Sequence, residues 1–361
     1  MTKTIIGTMS GTSMDGIDAA VLISDGEAVF EPGATRFRPY SRDERQMIRS
    51  AVEACKGPEG RNAPAVLIAE AMITDAHAET IRALMGEAGL KATDVGLVGF
   101  HGQTLFHAPH QATTVQIGDG AALARDLGIP VAYDFRSADV AAGGEGAPLV
   151  PVFHKAILEK ASAPLPAAIL NIGGVANITI LTANALLAFD TGPGSALIDD
   201  WMKSRTSKSF DEWGRIAGEG RVNEIIVGAW LDHAYFDRAA PKSLDRNAFD
   251  VIAIDRASLA DGAATLTALS ARAMARAVKD HAVRTLFVAG GGAHNRTMMR
   301  MLKEASGLEP QPMERLALDG DFLEAQAFAY LAARVEKGLP ISFPGTTGVK
   351  AAMTGGRIAR P

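Results

Sequence analysis

Short apolar runs broken by small residues alternate along this chain with longer segments in which apolar positions return at helical spacing. Residues 4–9 (TIIGTM) read as a strand, 10–16 (SGTSMDG) as a turn and 17–23 (IDAAVLI) as a second strand. Helical spacing follows over about residues 41–55 and 65–88, and Pro64 and Gly89 fit the start and stop of the second helix. Residues 95–100 (VGLVGF) predict a short buried strand that delivers His101, Gly102, Gln103 and Thr104 at its end. A short helix over 120–127, a short strand over 131–133 and a glycine-rich loop over 134–146 complete this half.

Around Pro148 the pattern restarts. A helix is expected over 149–159, a strand over 167–170, a turn at 171–174 (NIGG) and a strand over 175–181. Strand, small-residue turn, strand is also the order at the N-terminus, so an internal duplication with two similar lobes is expected. Residues 259–279 predict an amphipathic helix, and 286–289 a buried strand ending in three glycines. Alternating strands and helices give an α/β class. No low-complexity linker separates the halves, so the lobes are expected to pack closely around a cleft. The uncharged stretch 161–189 is long enough to span a bilayer. Pro164, Pro166, Asn171, Asn177, Asn184 and the Gly173-Gly174 pair interrupt it, which predicts two buried strands around a turn instead.

Composition narrows the function. With 36 Lys and Arg against 41 Asp and Glu the net charge is −5, so no basic excess points to nucleic acid or an anionic membrane. The 47% hydrophobic content supports a substantial core. Cys55 is the single cysteine, which excludes an internal disulfide and a cysteine-based zinc site and fits a reducing compartment. The N-terminus lacks a charged segment followed by a long apolar one, so a cytoplasmic location is expected.

The candidate chemistry sits in the turns. In GTMSGTSMDGID (7–18) glycines let backbone N–H groups approach an anion, Ser10, Thr12 and Ser13 add hydroxyls, and Asp15 and Asp18 can hold a hydrated divalent ion. No lysine completes a Walker A loop. A plain hairpin turn would use the same residue types, but the two carboxylates and the second small-residue turn at 171–174 favour phosphate binding. The three glycines 290–292 could bed a flat ring or simply open a helix. Asp190, at the end of a predicted strand before Thr191-Gly192-Pro193-Gly194, could face a ligand or cap a turn. Arg136 could clamp a carboxylate or pair with Asp134 or Asp139. The spacing of His101, His107 and His110 does not suit a metal site, whereas His101 and Gln103 could contact a ligand.

Taken together, the strings GTMSGTSMDGID, FHGQT (100–104), QIGDG (116–120), DFRSADVAAGGEGAPLVP (134–151), LNIGGVANIT (170–179), FDTGPG (189–194), PKS (241–243), GGGAHN (290–295), DGDFLEAQAFAYLA (319–332) and PGTTGV (344–349) resemble the anhydro-N-acetylmuramic acid kinase family, over essentially the whole chain. Ser195, Glu145 and Leu244-Asp245 depart from the family's usual residues. The resemblance implies the two-lobed, ribonuclease-H-like fold of the actin, chaperone ATPase and sugar kinase superfamily with a central interlobe cleft. It implies a first lobe over 1–140, a second over 141–334, and residues from about 335 to 361 packing back on the first. The implied reaction takes ATP with Mg²⁺, water and 1,6-anhydro-N-acetylmuramic acid to N-acetylmuramic acid 6-phosphate in cell-wall recycling, by a cytoplasmic homodimer that binds neither nucleic acid nor membrane. Asp190 would be the general base. Gly11, Thr12, Ser13, Met14, Asp15, Gly16, Ile17 and Asp18 would take the phosphates, with Asp15 and Asp18 at the metal. Asn171, Gly173 and Gly174 would take the phosphates from the second lobe, and Gly290, Gly291 and Gly292 the adenosine. His101, Gln103, Arg136 and Glu324 would meet the sugar. A phosphohydrolase and an ATP-driven conformational protein on the same scaffold are the alternatives; the latter would need a further peptide-binding domain.

Overall fold

The computed structural model describes residues 1–244, 249 and 252–361. The chain divides into two compact units, Met1–Ala156 with Phe322–Pro361, and Ile157–Asp321. Among the described residues twelve strands are distributed between them: β1 (Lys3–Ser10), β2 (Gly16–Ser24), β3 (Phe30–Pro39), β4 (Leu97–Ala108), β5 (Thr113–Ile117), β6 (Val131–Tyr133), β7 (Ala167–Ile172), β8 (Val175–Leu181), β9 (Leu186–Pro193), β10 (Thr285–Ala289), β11 (Gln311–Pro312) and β12 (Arg357–Ala359).

In the first unit the sheet order is β12-β6-β4-β1-β2-β3, with β5 added to β4. β1, β2 and β3 are antiparallel neighbours, while β4 runs parallel to β1 and β6 parallel to β4. In the second unit the order is β11-β10-β7-β8-β9. There β7, β8 and β9 are antiparallel neighbours, β10 runs parallel to β7 and β11 parallel to β10. Three antiparallel strands followed by two parallel ones, made twice, is the ribonuclease-H-like arrangement of the actin-like ATPases. The expected duplication is therefore present in five strands of each unit, with β5 and β12 added to the first.

Local chemistry sets the helices. Ser41 and Glu44 form a reciprocal capping box on helix Arg42–Cys55. Pro64 opens helix Pro64–Glu87, and Asp119 caps helix Gly120–Leu127, which ends at Gly128 in the left-handed region. The first unit's core joins Ile6, Ile17 and Val98 of the sheet to Ile73, Ile81 and Leu84 of helix Pro64–Glu87. The second joins Leu170, Ile178 and Phe189 to Trp201, Leu266 and Met274.

Three expectations change. The unit boundaries fall at 156/157 and 321/322, not at 140/141 and 334. The second shift arises because helix Leu323–Glu336 packs against the first sheet so closely that a Cβ on Gly7 would lie 1.9 Å from Ala325 O, and one on Gly99 would lie 2.2 Å from Phe328 O. β4 does not stop at Phe100; it continues to Ala108 because β5 pairs along its second half. The loop 134–146 contains a short helix, Ser137–Ala141. No helix among the described residues is long and apolar enough to cross a membrane, and 161–189 carries β7, β8 and the start of β9.

Candidate active site

In the first unit β1 and β2 form a hairpin whose connection is residues 11–15. Met14, at φ +56°, lets the chain reverse, and its N–H donates to Gly11 O at 3.2 Å. Asp15 Oδ1 accepts from Ser13 Oγ at 2.6 Å and from Gly16 N at 3.1 Å. Thr12, Ser13 and Asp15 are exposed, so this turn presents hydroxyls and a carboxylate to solvent. Asp18 is half-buried on β2. Ile17 does not belong with them: its side chain is fully buried in the core, so its place in the motif is packing, and Gly16 is buried too.

His101, Arg136 and Glu324 converge in the same unit. Arg136 Nε donates to His101 Nε2 at 3.1 Å, and Arg136 Nη1 donates to Gly146 O at 2.8 Å. His101 Nδ1 donates to Gly102 O at 2.9 Å, so the ring is the neutral Nδ1–H tautomer. Burial, then the neighbouring Arg136, holds His101 well below its ordinary pKa. Glu324, in the first turn of its helix, is raised by burial against the pull of Arg136, and its carboxyl has no hydrogen-bond partner among the described residues. Arg136 pairs with neither Asp134 nor Asp139. Asp134 is engaged by Arg357 and Ser137, and Asp139 accepts from Gly146 N at 2.6 Å and Thr347 Oγ1 at 2.6 Å. The clamp Asp139 makes on residues 144–146 fixes the carbonyl that orients Arg136. An adjoining cavity of about 290 Å³ is lined by Phe100, His101, Gln116, Gly118, Asp134 and Ser137, among others. It brings three of the sequence strings to one place.

Gln103 is different. It is fully buried, with Oε1 accepting from Ser10 and Nε2 donating to Gly11 O and Thr104 O. No polar atom remains for a sugar, so the expectation of substrate contact is replaced by a structural tie to the turn.

In the second unit Asp190 lies within β9, opposite Asn177 of β8, and not at a strand end. Residues 191–193 stay extended because they continue to pair with 175 and 176. Asp190 N donates to Lys242 O at 3.0 Å, Tyr235 Oη donates to Asp190 O at 2.5 Å, and Leu244 N donates to Asp190 Oδ2 at 2.8 Å. Oδ1 has no partner among the described residues. Burial pushes the Asp190 carboxyl up to about 6, with the Leu244 N–H opposing. The Tyr235, Lys242 and Leu244 contacts carry no role in the sequence reading; the string PKS just before Leu244 was the available signal. Asp245 of the departure Leu244-Asp245 lies outside the described residues.

Gly173 O accepts from Ser195 N, and Gly174 O accepts from Gly194 N and Ala196 N. The N–H groups of Gly173 and Gly174 have no partner among the described residues. Ser195, the departure from the family residue, therefore supplies a backbone tie here. Of the three glycines after β10, Gly290 (φ +79°) and Gly292 lie against Asn171 and Ile172, where a Cβ would come within 2.5 Å and 2.2 Å. Gly291 has nothing within 4 Å of a built Cβ, so it alone offers an open face. Among the described residues no group of three His, Cys, Asp or Glu could hold a metal, and His107 and His110 instead meet Thr114 and Gln111.

A family model described as anhydro-N-acetylmuramic acid kinase matches residues 3–361. An enzyme of that name from Methylobacterium nodulans is 51% identical, covering 99% of both chains. Its counterpart from Rhizorhabdus wittichii is 49% identical over 100% of both. That from Cereibacter sphaeroides is 50% identical, covering 99% of this chain and 96% of its own. With sheets, turns and sequence in agreement from end to end, this chain belongs to the anhydro-N-acetylmuramic acid kinase family of phosphotransferases.

Proposed function

We propose that the chain uses ATP and water to open 1,6-anhydro-N-acetylmuramic acid and phosphorylate it, giving N-acetylmuramic acid 6-phosphate and ADP during cell-wall recycling. The single observation that carries the mechanism is the Asp190 carboxyl: anchored through one oxygen, without a partner at the other among the described residues, and tuned by burial to about 6. A base of that pKa is mostly ionised near neutrality yet takes up a proton readily.

In the proposed reaction Asp190 Oδ1 accepts a proton from water as the water oxygen bonds to the anomeric carbon. The bond from that carbon to O6 breaks, its electron pair stays on O6, and O6 attacks the γ-phosphorus while ADP leaves. Phosphoryl transfer is served mainly by positioning and charge neutralisation. For this the exposed turn 11–15 and the N–H groups of Gly173 and Gly174, which have no partner among the described residues, are suited to the phosphates, and the open face at Gly291 to the adenosine. Arg136, with its guanidinium oriented by Gly146 O and His101, suits the lactyl carboxylate, and Glu324 with His101 suits the sugar's polar groups. Mg²⁺ takes few carboxylates and keeps its waters, and Asp15 with Asp18 fit that demand; when bound, the ion neutralises phosphate charge. We further propose a homodimer acting in the cytoplasm, where ATP is supplied, with light scattering to read the assembly.

The test is ADP release with and without the anhydro-sugar, followed by mass spectrometry of product made in ¹⁸O-water. The expected result is sugar-dependent ADP release with label on the anomeric oxygen and phosphate on O6. ADP release indifferent to the sugar, or unlabelled product, overturns the proposal.

A further inference from the structure

Beneath the exposed turn lies a buried polar relay that the reaction itself does not call for. Tyr40, Ser10 and Gln103 are 2%, 1% and 0% exposed. They sit on three separate stretches of chain: Ser10 ends β1, Gln103 lies in β4 and Tyr40 follows β3. Their hydrogen bonds have one direction only. Carbonyl oxygens accept, so Gln103 Nε2 must donate to Gly11 O at 3.0 Å and to Thr104 O at 3.2 Å. Gln103 Oε1 then accepts from Ser10 Oγ at 2.5 Å. Ser10 has spent its single proton, so Tyr40 Oη donates to Ser10 Oγ at 2.9 Å.

The two ends of the relay meet the two ends of the turn. Gly11 O, which Gln103 holds, also receives the Met14 N–H that closes the turn. At the other end Tyr40 N donates to Asp15 O at 2.9 Å. One residue, Tyr40, thus grips residues 11–15 from both sides, through its backbone and through its side chain. The Tyr40 ring packs in the first unit's core, but its hydroxyl, the Ser10 hydroxyl and the Gln103 amide add no hydrophobic stabilisation there. What they fix is the position of a turn whose own Thr12, Ser13 and Asp15 side chains are exposed.

We infer that Tyr40, Ser10 and Gln103 are positioning residues that hold the 11–15 turn in the form that receives the nucleotide phosphates, so that the relay sets nucleotide affinity without touching nucleotide or sugar. This rests on the assignment of that turn to ATP. The test uses the full chain with Tyr40→Phe, which deletes one oxygen, and Gln103→Met, which is nearly isosteric. The readouts are binding of a non-hydrolysable ATP analogue, KM for ATP against KM for the anhydro-sugar, and amide hydrogen exchange at Met14 and Gly16. Each variant is expected to weaken analogue binding and raise KM for ATP about tenfold, the scale of one buried hydrogen bond, with KM for the sugar within twofold. Exchange should accelerate at Met14 and Gly16 while β1, β2 and β4 stay protected. Variants that bind the analogue like the parent protein overturn the inference, as do variants that raise both KM values together with exchange throughout the sheet. If the parent protein binds no nucleotide, the ATP assignment of the turn fails, and the exchange arm still decides whether the relay holds it.

Discussion

A carboxylate held out of water is costly to ionise, and Asp190 carries that cost at neutral pH. Its pKa moves from 3.8 to about 6 on folding. The protonated form therefore favours the fold, fully below the lower value, and that favour is lost as pH rises through about 6, amounting to about 1–3 kcal/mol. Asp190→Asn keeps an acceptor for Leu244 N–H without the charge, so it should raise the melting temperature at pH 7.5 and change it little at pH 4. The same substitution should lower kcat by about 10²–10⁴-fold with nucleotide binding retained, as removal of a general base does. Calorimetry and steady-state kinetics on one preparation check both. In the parent enzyme kcat should rise with pH through about 6, as the base loses its proton; a profile flat from pH 5 to 8 would exclude Asp190 from that role.

At the scale of elements, the hairpins and their turns are the part most legible beforehand, because a turn needs small residues and a core strand needs apolar ones. The helix over 64–87 was legible for a similar reason, its termini being marked by Pro64 and Gly89. β3 was not: its FEPGATRFRP carries three charges and two prolines at a largely exposed sheet edge, so burial left no alternation to read. The far half of β4 was missed because β5, not local propensity, keeps it extended. Gln103 looked like a ligand contact since a glutamine between glycine and threonine is polar by any sequence measure; only its three partners reveal that it is spoken for. Helix Leu323–Glu336 shows the strongest dependence on small residues. Gly7→Ala or Gly99→Ala would drive a methyl into the backbone of that helix, and each should destabilise by about 1–3 kcal/mol. Since Glu324 rides on the displaced helix, KM for the sugar should rise in the surviving fraction. A Gly99→Ala protein with the parent's melting temperature would contradict this packing.

At the scale of the whole molecule, three histidines without charge belong to the first unit. Burial lowers His77 to about 4, His154 to about 3 and His101 well below 6.5. A histidine whose folded pKa is depressed contributes stability that is complete above about 6.5 and is lost as pH falls below it, because the unfolded chain takes up the proton first. The first unit should therefore loosen on going from pH 7 to pH 5, by several kcal/mol summed over the three sites. In the second unit Asp190 acts in the opposite sense. Hydrogen exchange at the two pH values, corrected for intrinsic rates, should show protection falling in β1, β2 and β4 ahead of β7, β8 and β10.

The division of the chain also sets an order of manufacture. Residues 157–321 are continuous, whereas the body begun by Met1 waits for Phe322–Pro361 to supply its covering helix and the edge strand β12. On the ribosome residues 157–321 can therefore finish first, and residues 1–156 must linger unfinished until Phe322–Pro361 has been made. A stop codon just before position 322 would release a protein whose opening 156 residues expose a bare sheet, and it is that end, not the newly made one, that chaperones and proteases would meet.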